Sequence, residues 1–206
     1  MSAAQAEKPV VAAFDFDGTL TQRDSLLPFL WQAVGWNDFA RHAFSLAPTL
    51  AGYGLGMIPN DVAKQRVLRQ FFAGINIATL REKATQFAVH ELPRLIRPET
   101  ARRFDWHKQQ GHRCIVVSAS LELYVRPWAL KMGFDDVLAS RLETRADGSV
   151  TGNLLGKNCY GIEKVRRLEE LLGARSGYTL YAYGDSRGDK ELLAEADYAY
   201  YRKIPN

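Results

Sequence analysis

Two aspartates, Asp15 and Asp17, stand at the end of an apolar run near the start of the chain. The run, Val10 to Phe16, is apolar and partly β-branched and gives way to Asp-Gly-Thr, as a strand buried on both faces does before a turn. If the strand extends this far, both carboxylates project to the same side of the backbone. Asp15 can then attack a phosphorus atom while Asp17 transfers the protons.

The proton transfers set a condition on Asp17. A carboxyl group must be protonated near neutral pH to donate to a leaving oxygen, so the pKa of Asp17 must lie above its usual value of about 3.9. A neighbouring carboxylate can raise it. The following Gly18 frees the turn and lets the backbone approach a phosphate closely.

Residues that can hold a phosphate follow a second apolar run. Cys114 to Val117 is predicted to be a buried strand, and Ser118 and Ala119 come directly after it. A serine hydroxyl and the backbone amides at a helix start bind phosphate oxygens. Ser118 is preferred over Ser120, because Ser118 directly follows the strand.

Lys164 and two later aspartates complete the candidate site. Lys164 lies in the first turn of a predicted helix, where a fixed cation offsets charge on the nucleophile and the phosphate, and Lys157 is the alternative lysine. Asp185 and Asp189 follow the apolar run 178–183. With the first aspartates they form an oxygen-rich site suited to Mg²⁺, since four converging carboxylates without a cation would repel one another and a phosphate.

These side chains must be positioned by strands that alternate with helices. Strands are predicted at 10–16, 114–117, 136–142, 149–154, 178–183 and 198–201, with helices at 98–110, 121–132, 161–172 and 188–194 and a hairpin turn at Asp147-Gly148. This alternation predicts an α/β fold with a doubly wound parallel sheet. Such sheets bind ligands outside the carboxyl ends of their strands, where the candidate residues lie.

The segment between the first two strands has a different pattern. From Ser25 to about Leu92, apolar residues recur at helical spacing and no strand-like alternation occurs. Residues 23–92 are therefore predicted to form a small all-helical cap inserted after the first strand. Residues 1–22 and 93–206 are predicted to form the core domain.

Residues 43–60 of this cap carry no formally charged side chain. Pro48, Pro59 and three glycines interrupt the stretch, whereas a membrane span needs about 20 uninterrupted apolar residues. Burial of the helices against one another explains these residues and is the preferred interpretation. The alternative is peripheral contact of the cap with a membrane or lipid, including an acyl chain.

The four motifs resemble, in type and order, those of the haloacid-dehalogenase superfamily, and the resemblance extends from Val10 to about Ala196. It implies a Mg²⁺-dependent phosphatase with a Rossmann-type core. By position it assigns the nucleophile to Asp15, the acid and base to Asp17, and the phosphate-holding groups to Ser118 and Lys164. The implied Mg²⁺ ligands are Asp15, the main-chain carbonyl of Asp17 and Asp185, with Asp189 in support.

Within that superfamily, the cap position and the stretch 158–164 are similar to the phosphoserine-phosphatase-like branch. Phosphoserine phosphatases carry a Glu nine residues after the nucleophile to bind the substrate amine, whereas this chain has Asp24 there, and its second motif continues Ala-Ser rather than Gly-Gly. The C-type phosphatidylglycerophosphatases are similar in having an Asp at that point and a rather apolar cap. Asp24 is therefore a candidate substrate-binding residue, and capping of the next helix is the other interpretation.

The composition is that of an ordinary globular protein: of 206 residues, 47% are hydrophobic and 24% are charged. The net charge of +4 favours anionic partners in general. A solvated helix face, rather than a nucleic-acid groove, is expected to carry Arg102, Arg103, Lys108 and Arg113. Two distant cysteines indicate neither a disulfide framework nor a zinc site, and residues 1–9 lack a signal-peptide pattern. We therefore expect a cytoplasmic protein with a small phosphorylated substrate, without a nucleic-acid or protein partner.

The leading hypothesis is a Mg²⁺-dependent phosphatase that hydrolyses the phosphate monoester of a small metabolite through an aspartyl-phosphate intermediate. A lipid phosphate phosphatase, with a substrate like phosphatidylglycerophosphate, is the first alternative. A regulatory domain that accepts phosphate without turnover is an alternative of another class. Receiver domains, however, carry their phosphoaspartate after a later strand, whereas Asp15 and Asp17 share the first strand end. A dehalogenase ranks last, because it does not require the acid or the metal carboxylates.

Overall fold

Five parallel strands form the central sheet of the computed structural model, which describes residues 8–205. In sheet order they are β3 (Asp136–Ser140), β2 (Arg113–Leu121), β1 (Val10–Phe14), β6 (Thr179–Gly184) and β7 (Tyr198–Tyr201). All neighbouring pairs run parallel, so the predicted doubly wound α/β sheet is confirmed. The predicted N-terminal tail, residues 1–9, lies outside the described residues except for Lys8 and Pro9.

Helices cover both faces of this sheet. They are α6 (Pro98–Gln109), α7 (Glu122–Met132), α8 (Ile162–Leu172) and α9 (Lys190–Ala194). Along β1, Ala12 and Phe14 pack into the cluster that contains residues of α6 and α7, whereas Val11 and Ala13 pack into the cluster with residues of α8 and α9. The strand is apolar throughout because neither of its faces meets water.

The first strand is shorter than the sequence predicts. It ends at Phe14, and after the Asp15 N–H donates to the Tyr183 carbonyl (2.9 Å) the chain enters a single tight turn, Phe16–Leu20. Gly18 in this turn has φ +79°, and the Asp185 carboxylate lies so close to it that a Cβ atom would clash. The premise that the strand extends to Phe16 is therefore wrong, and the strand pattern no longer supports placing both aspartates on one side.

The predicted strand 136–142 is two strands. β3 ends at Ser140, and Leu142–Thr144 (β4) pairs antiparallel with Val150–Leu154 (β5) in a separate hairpin. The predicted turn at Asp147-Gly148 joins them, with Gly148 at φ +81°. β2 in turn extends to Leu121, beyond the predicted end at Val117, with a register shift after Ser118.

Five helices lie between β1 and α6: α1 (Leu26–Val34), α2 (Trp36–Gly54), α3 (Asn60–Phe72), α4 (Ile77–His90) and the short α5 (Leu92–Leu95). Thr21 and Ile96 form an antiparallel bridge where the chain enters and leaves this block. Phe29 and Phe87 pack on Tyr124 of α7, with ring centroids 4.9 and 5.4 Å apart. The inserted helical cap of the predicted fold class is thus present, and the limits at residues 22/23 and 92/93 stay predictions.

The uncharged cap stretch 43–60 is only partly buried. Leu46 is buried, but Leu55 is 74% exposed and Met57 is 70% exposed. Mutual burial of the helices, the preferred interpretation, is therefore wrong for most of the larger apolar side chains here. Within residues 8–205, none of the helices has the length and apolar character needed to cross a bilayer.

One residue of the supposedly solvated face on α6 is buried. Arg103 donates from Nε to the Tyr183 hydroxyl (2.7 Å), and its guanidinium stacks 3.9 Å from the Trp106 ring centroid. His107 also contacts that hydroxyl through Nε2 (2.8 Å). The prediction of a solvated helix face is wrong for Arg103, which is buried, and for Arg113, which begins β2 instead of lying on a helix.

We predict that Gly152→Ala destabilises the protein by about 2–4 kcal/mol. Gly152 of β5 has φ +84° and lies against the main chain of Arg69 in α3, so alanine adds left-handed strain and overpacking. Gly156→Ala is the matched control, because Gly156 has φ +76° with open space around it and should cost only the strain, about 1–2 kcal/mol. Chemical denaturation measures both; equal losses would contradict a tight contact between α3 and the hairpin.

Candidate active site

A buried lysine joins two of the predicted aspartates. Lys164, in the first turn of α8, lies with Nζ 2.6 Å from Oδ1 of Asp15 and 2.5 Å from Oδ1 of Asp189. All three side chains are buried. The structure therefore brings Lys164, rather than the alternative Lys157, to Asp15, while Lys157 lines an outer cleft.

The burial of this triad shifts its pKa values. Desolvation raises the pKa of Asp15 to about 7, with the Lys164 ammonium opposing the shift and the Asp189 charge adding to it. Desolvation by itself would lower the pKa of Lys164, but Asp15 and Asp189 raise it above its ordinary value. The carboxylates therefore favour the charged form of Lys164, whereas burial favours the protonated form of Asp15.

Asp189 organises the loop that follows β6. Its Oδ2 accepts hydrogen bonds from the N–H of Asp185 (3.2 Å) and from the N–H and hydroxyl of Ser186 (both 2.9 Å). Oδ1 of Asp185 accepts a hydrogen bond from the Thr19 hydroxyl (3.2 Å). Burial, followed by the charge of Asp189, raises the pKa of Asp185. The loop thus brings the Asp185 carboxylate to the tight turn after β1.

Asp15, Asp185 and Asp189 could hold a cation. Each offers one carboxylate oxygen, and these oxygens lie within 4.8 Å of one another. A hard, oxygen-binding ion such as Mg²⁺ fits this set. Both oxygens of Asp189 already accept hydrogen bonds from the protein. Asp15 and Asp185 are therefore the better candidates for direct metal ligands. The Asp17 carboxylate is not part of this cluster, and its implied role through the main-chain carbonyl stays a prediction.

Asp17 lies where the core meets the cap. Its Oδ2 accepts a hydrogen bond from the Ser120 hydroxyl, and its Oδ1 accepts one from the Ser25 N–H (2.9 Å). The Ser25 hydroxyl in turn donates to the buried Tyr124 hydroxyl (3.0 Å). Burial and the charge of Asp24 raise the pKa of Asp17 to about 6, with the hydrogen bonds from Ser120 and Ser25 opposing. This agrees with the raised pKa that a proton donor near neutral pH requires.

The residues predicted to bind phosphate or substrate have different surroundings. Ser118 is buried, and its Oγ accepts a hydrogen bond from the Ser120 N–H (3.0 Å). Ala119 presents its carbonyl to a lysine of the cap. Asp24 is exposed and accepts hydrogen bonds from the N–H groups of Leu26 (2.9 Å) and Leu27 (3.3 Å). These contacts are those of a helix cap, and they account for Asp24 without a ligand.

Sequence reasoning missed Lys64 on α3. Its Nζ donates to the Ala119 carbonyl and to Oδ1 of Asn158 (2.8 Å). The residue is partly exposed, and desolvation lowers the pKa of its amine to about 8, with the charge of Asp17 opposing. The only signal in the sequence is spacing: Lys64 stands four and eight residues before Leu68 and Phe72, on the buried face of its helix.

We predict that the metal-free protein loses stability as pH rises from 3.8 to about 7. Over this range folded Asp15 keeps a proton that the unfolded chain has already released. The stability that this proton contributes is fully present below the pKa of the unfolded chain and is lost as pH rises through the pKa of the folded protein. Thermal melting in chelator at several pH values measures the loss. Asp15→Asn cannot titrate, and an unchanged pH dependence in that variant would contradict the raised pKa of Asp15.

Comparison with known proteins places the chain in a family. A model of the haloacid dehalogenase-like hydrolases matches residues 12–194. Protein CicA of Caulobacter vibrioides is 37% identical over 203 residues, which cover 98% of this chain and 90% of CicA. A histidinol-phosphatase of Neisseria meningitidis serogroup C is 28% identical over 191 residues, covering 89% of this chain and 85% of that protein.

A solved structure shows the same fold. The phospho-aspartyl intermediate analogue of phosphoserine phosphatase is 19% identical, with a TM-score of 0.58 over 92% of this chain and 84% of that one. The family model spans most of this chain, and the identity to CicA extends over nearly all of it. The family predicted from the four motifs is therefore confirmed: the chain belongs to the haloacid dehalogenase-like hydrolases.

Proposed function

We propose that the protein is a Mg²⁺-dependent phosphatase that hydrolyses phosphate monoesters through an aspartyl-phosphate intermediate. One observation carries this proposal: Asp15 is held by a buried ammonium beside two acidic residues, while a separate carboxyl with a raised pKa, Asp17, lies within the following turn and contacts Ser120 and Ser25 instead. The proposed nucleophile and the proposed proton donor thus have different surroundings, which suit them to different roles. The relatives named as phosphatases support the same reaction class.

In the first step a carboxylate oxygen of Asp15 attacks phosphorus, and the bond from phosphorus to the ester oxygen breaks. Asp17 gives its proton to that oxygen, so the substrate leaves as a neutral alcohol. In the second step Asp17 takes a proton from water, the resulting hydroxide bonds to phosphorus, and the Asp15–phosphorus bond breaks. Inorganic phosphate leaves, and both carboxyls return to their initial states.

Fixed charges assist both steps. The Lys164 ammonium stays protonated and stabilises the negative charge on Asp15 and on the transferring group. Asp15 and Asp185 would hold Mg²⁺, which when bound neutralises phosphate charge and lowers the repulsion against a carboxylate nucleophile. Ser118 and the backbone at Ala119 are assigned to the phosphate oxygens, as the motif resemblance implies.

We predict that Asp15→Asn lowers turnover of an aryl phosphate by at least ~10³-fold, because the variant cannot form the covalent intermediate. Phosphate release measures turnover, and mass spectrometry of acid-quenched protein detects the phosphoenzyme. Asp17→Asn is the matched comparison, since it should still be phosphorylated but lose ~10²–10⁴-fold in rate. Equal turnover in wild type and Asp15→Asn would disprove the enzyme proposal. A lasting phosphoenzyme in wild type without phosphate release would instead favour the regulatory domain.

We predict that Mg²⁺ raises the melting temperature of the wild type and that Asp185→Asn removes most of the rise. A ligand that binds only the folded state stabilises it by about 2.7 kcal/mol at a hundred times its dissociation constant. Asp105→Asn, which changes an exposed carboxylate on α6, is the matched control and should respond as wild type does. A full Mg²⁺ response in Asp185→Asn would place the ion elsewhere.

The proposed substrate is a small phosphorylated metabolite met in the cytoplasm, with no nucleic-acid or protein partner. A lipid phosphate is the second candidate, because the cap exposes large apolar side chains. Phe44 of α2 is 85% exposed and Trp36 is 65% exposed, and aromatic residues of this kind favour the membrane interface. A comparison of soluble monoesters with phosphatidylglycerol phosphate in detergent separates the two substrate classes.

A further inference from the structure

Arg202, which directly follows β7, has a strained main-chain conformation. Its φ is +55°, and among residues 8–205 it is the one residue other than glycine with a positive φ. The left-handed region is unfavourable for a residue with a Cβ atom. Strain of this kind persists where the surrounding contacts enforce it, and it is concentrated at functional sites. The contacts of Arg202 therefore indicate what the strain serves.

Those contacts join Arg202 to the point where β6 ends and its following loop begins. The Arg202 N–H donates to the Gly184 carbonyl (2.9 Å), which continues the pairing of β6 with β7 by one residue. The Nε of Arg202 donates to the Asp185 carbonyl (2.8 Å). A single exposed residue thus binds two consecutive carbonyls directly beside the acidic cluster.

The main chain of Asp185 is bonded at both of its polar groups. Its N–H donates to Oδ2 of Asp189 (3.2 Å), and its carbonyl accepts the hydrogen bond from Arg202. The side chain is held less firmly, since within residues 8–205 the half-buried carboxylate accepts one hydrogen bond, from the Thr19 hydroxyl (3.2 Å). The direction of the Asp185 carboxylate therefore depends on the main chain that Asp189 and Arg202 hold.

We propose that Arg202 is a positioning residue for the Mg²⁺ site, because it fixes the main chain from which the Asp185 carboxylate reaches towards that of Asp15. This inference rests on the proposed function, in which Asp15 and Asp185 hold the ion. A guanidinium carries only donors, so Arg202 acts through Asp185 and is not itself a ligand. Ligands that are held in place before binding lose less freedom when the ion binds, and the ion is bound more tightly.

The charge of Arg202 has the opposite effect on Mg²⁺ binding. A guanidinium close to the acidic cluster repels a second cation, so removal of its charge alone would tighten Mg²⁺ binding. Removal of the hydrogen bond to Asp185 would weaken it. The direction of the change in Mg²⁺ affinity therefore separates positioning from simple electrostatics.

Arg202→Gly tests the inference, because it removes the side chain and relieves the strain but keeps the N–H that bonds to Gly184. Relief of strain offsets the lost side-chain contact, so the melting temperature in chelator should stay within ~3 °C of wild type. The Mg²⁺ dissociation constant, measured from the rise of melting temperature with Mg²⁺ concentration, should increase ~5-fold or more. Saturating Mg²⁺ should restore aryl phosphate turnover to within ~3-fold of wild type.

Two further variants complete the experiment. Arg202→Asn keeps a residue that tolerates positive φ but is too short to provide the Nε contact, and it should weaken Mg²⁺ binding as Arg202→Gly does. Lys203→Gly is the matched control, because it removes an exposed cation one residue further along the chain. Its Mg²⁺ affinity should equal or slightly exceed that of wild type.

Two results would overturn the inference while leaving the proposed function standing. One is Mg²⁺ binding by Arg202→Gly and Arg202→Asn that is as tight as in wild type or tighter. The other is a loss of Mg²⁺ affinity in Lys203→Gly as large as in the Arg202 variants. Absence of aryl phosphate hydrolysis in wild type would instead refute the phosphatase proposal, and the melting titrations would still decide the role of Arg202.

Discussion

The structure depends above all on one buried ammonium, that of Lys164, placed between the carboxylates of Asp15 and Asp189. These two carboxylates would repel each other strongly in a desolvated pocket, and breaking a buried ion pair by removing one partner typically costs about 3–5 kcal/mol. The cation also joins three segments that are distant in sequence: the end of β1, the first turn of α8 and the loop after β6. The interaction that stabilises this end of the sheet is therefore the one that holds Asp15, the proposed nucleophile.

The loop after β6 shows how this interaction extends. With Oδ1 bound to Lys164, Asp189 turns Oδ2 towards the amides of residues 185 and 186. That fixes the Asp185 carboxylate against Gly18, a position where any side chain would clash. Hydrogen bonds within the protein thus position the acidic cluster, and a bound cation would relieve the repulsion between its carboxylates.

Asp17 belongs to the other half of the site and is held jointly by core and cap. Ser120 comes from β2, whereas the Ser25 amide precedes the first cap helix and its hydroxyl contacts Tyr124. The Tyr124 ring packs on Phe29 and Phe87 of the cap. The apolar interface between the two parts of the protein therefore sets the position and the desolvation of the carboxyl group that is proposed to move protons. The cap also supplies Lys64.

The sequence by itself determined the parallel sheet, the inserted helices and the aspartates at the strand ends, because long apolar runs and helical periodicity are local signals and strand ends of one sheet meet at one edge. It did not determine that β1 stops before Asp15, that Asp17 lies in the tight turn that follows, or that the two aspartates have different partners. It also could not show that the Ser120 hydroxyl contacts Asp17, or reveal Lys64. Those contacts join residues far apart in the chain, and only the packing of apolar helix faces in the tertiary structure decides which polar groups meet.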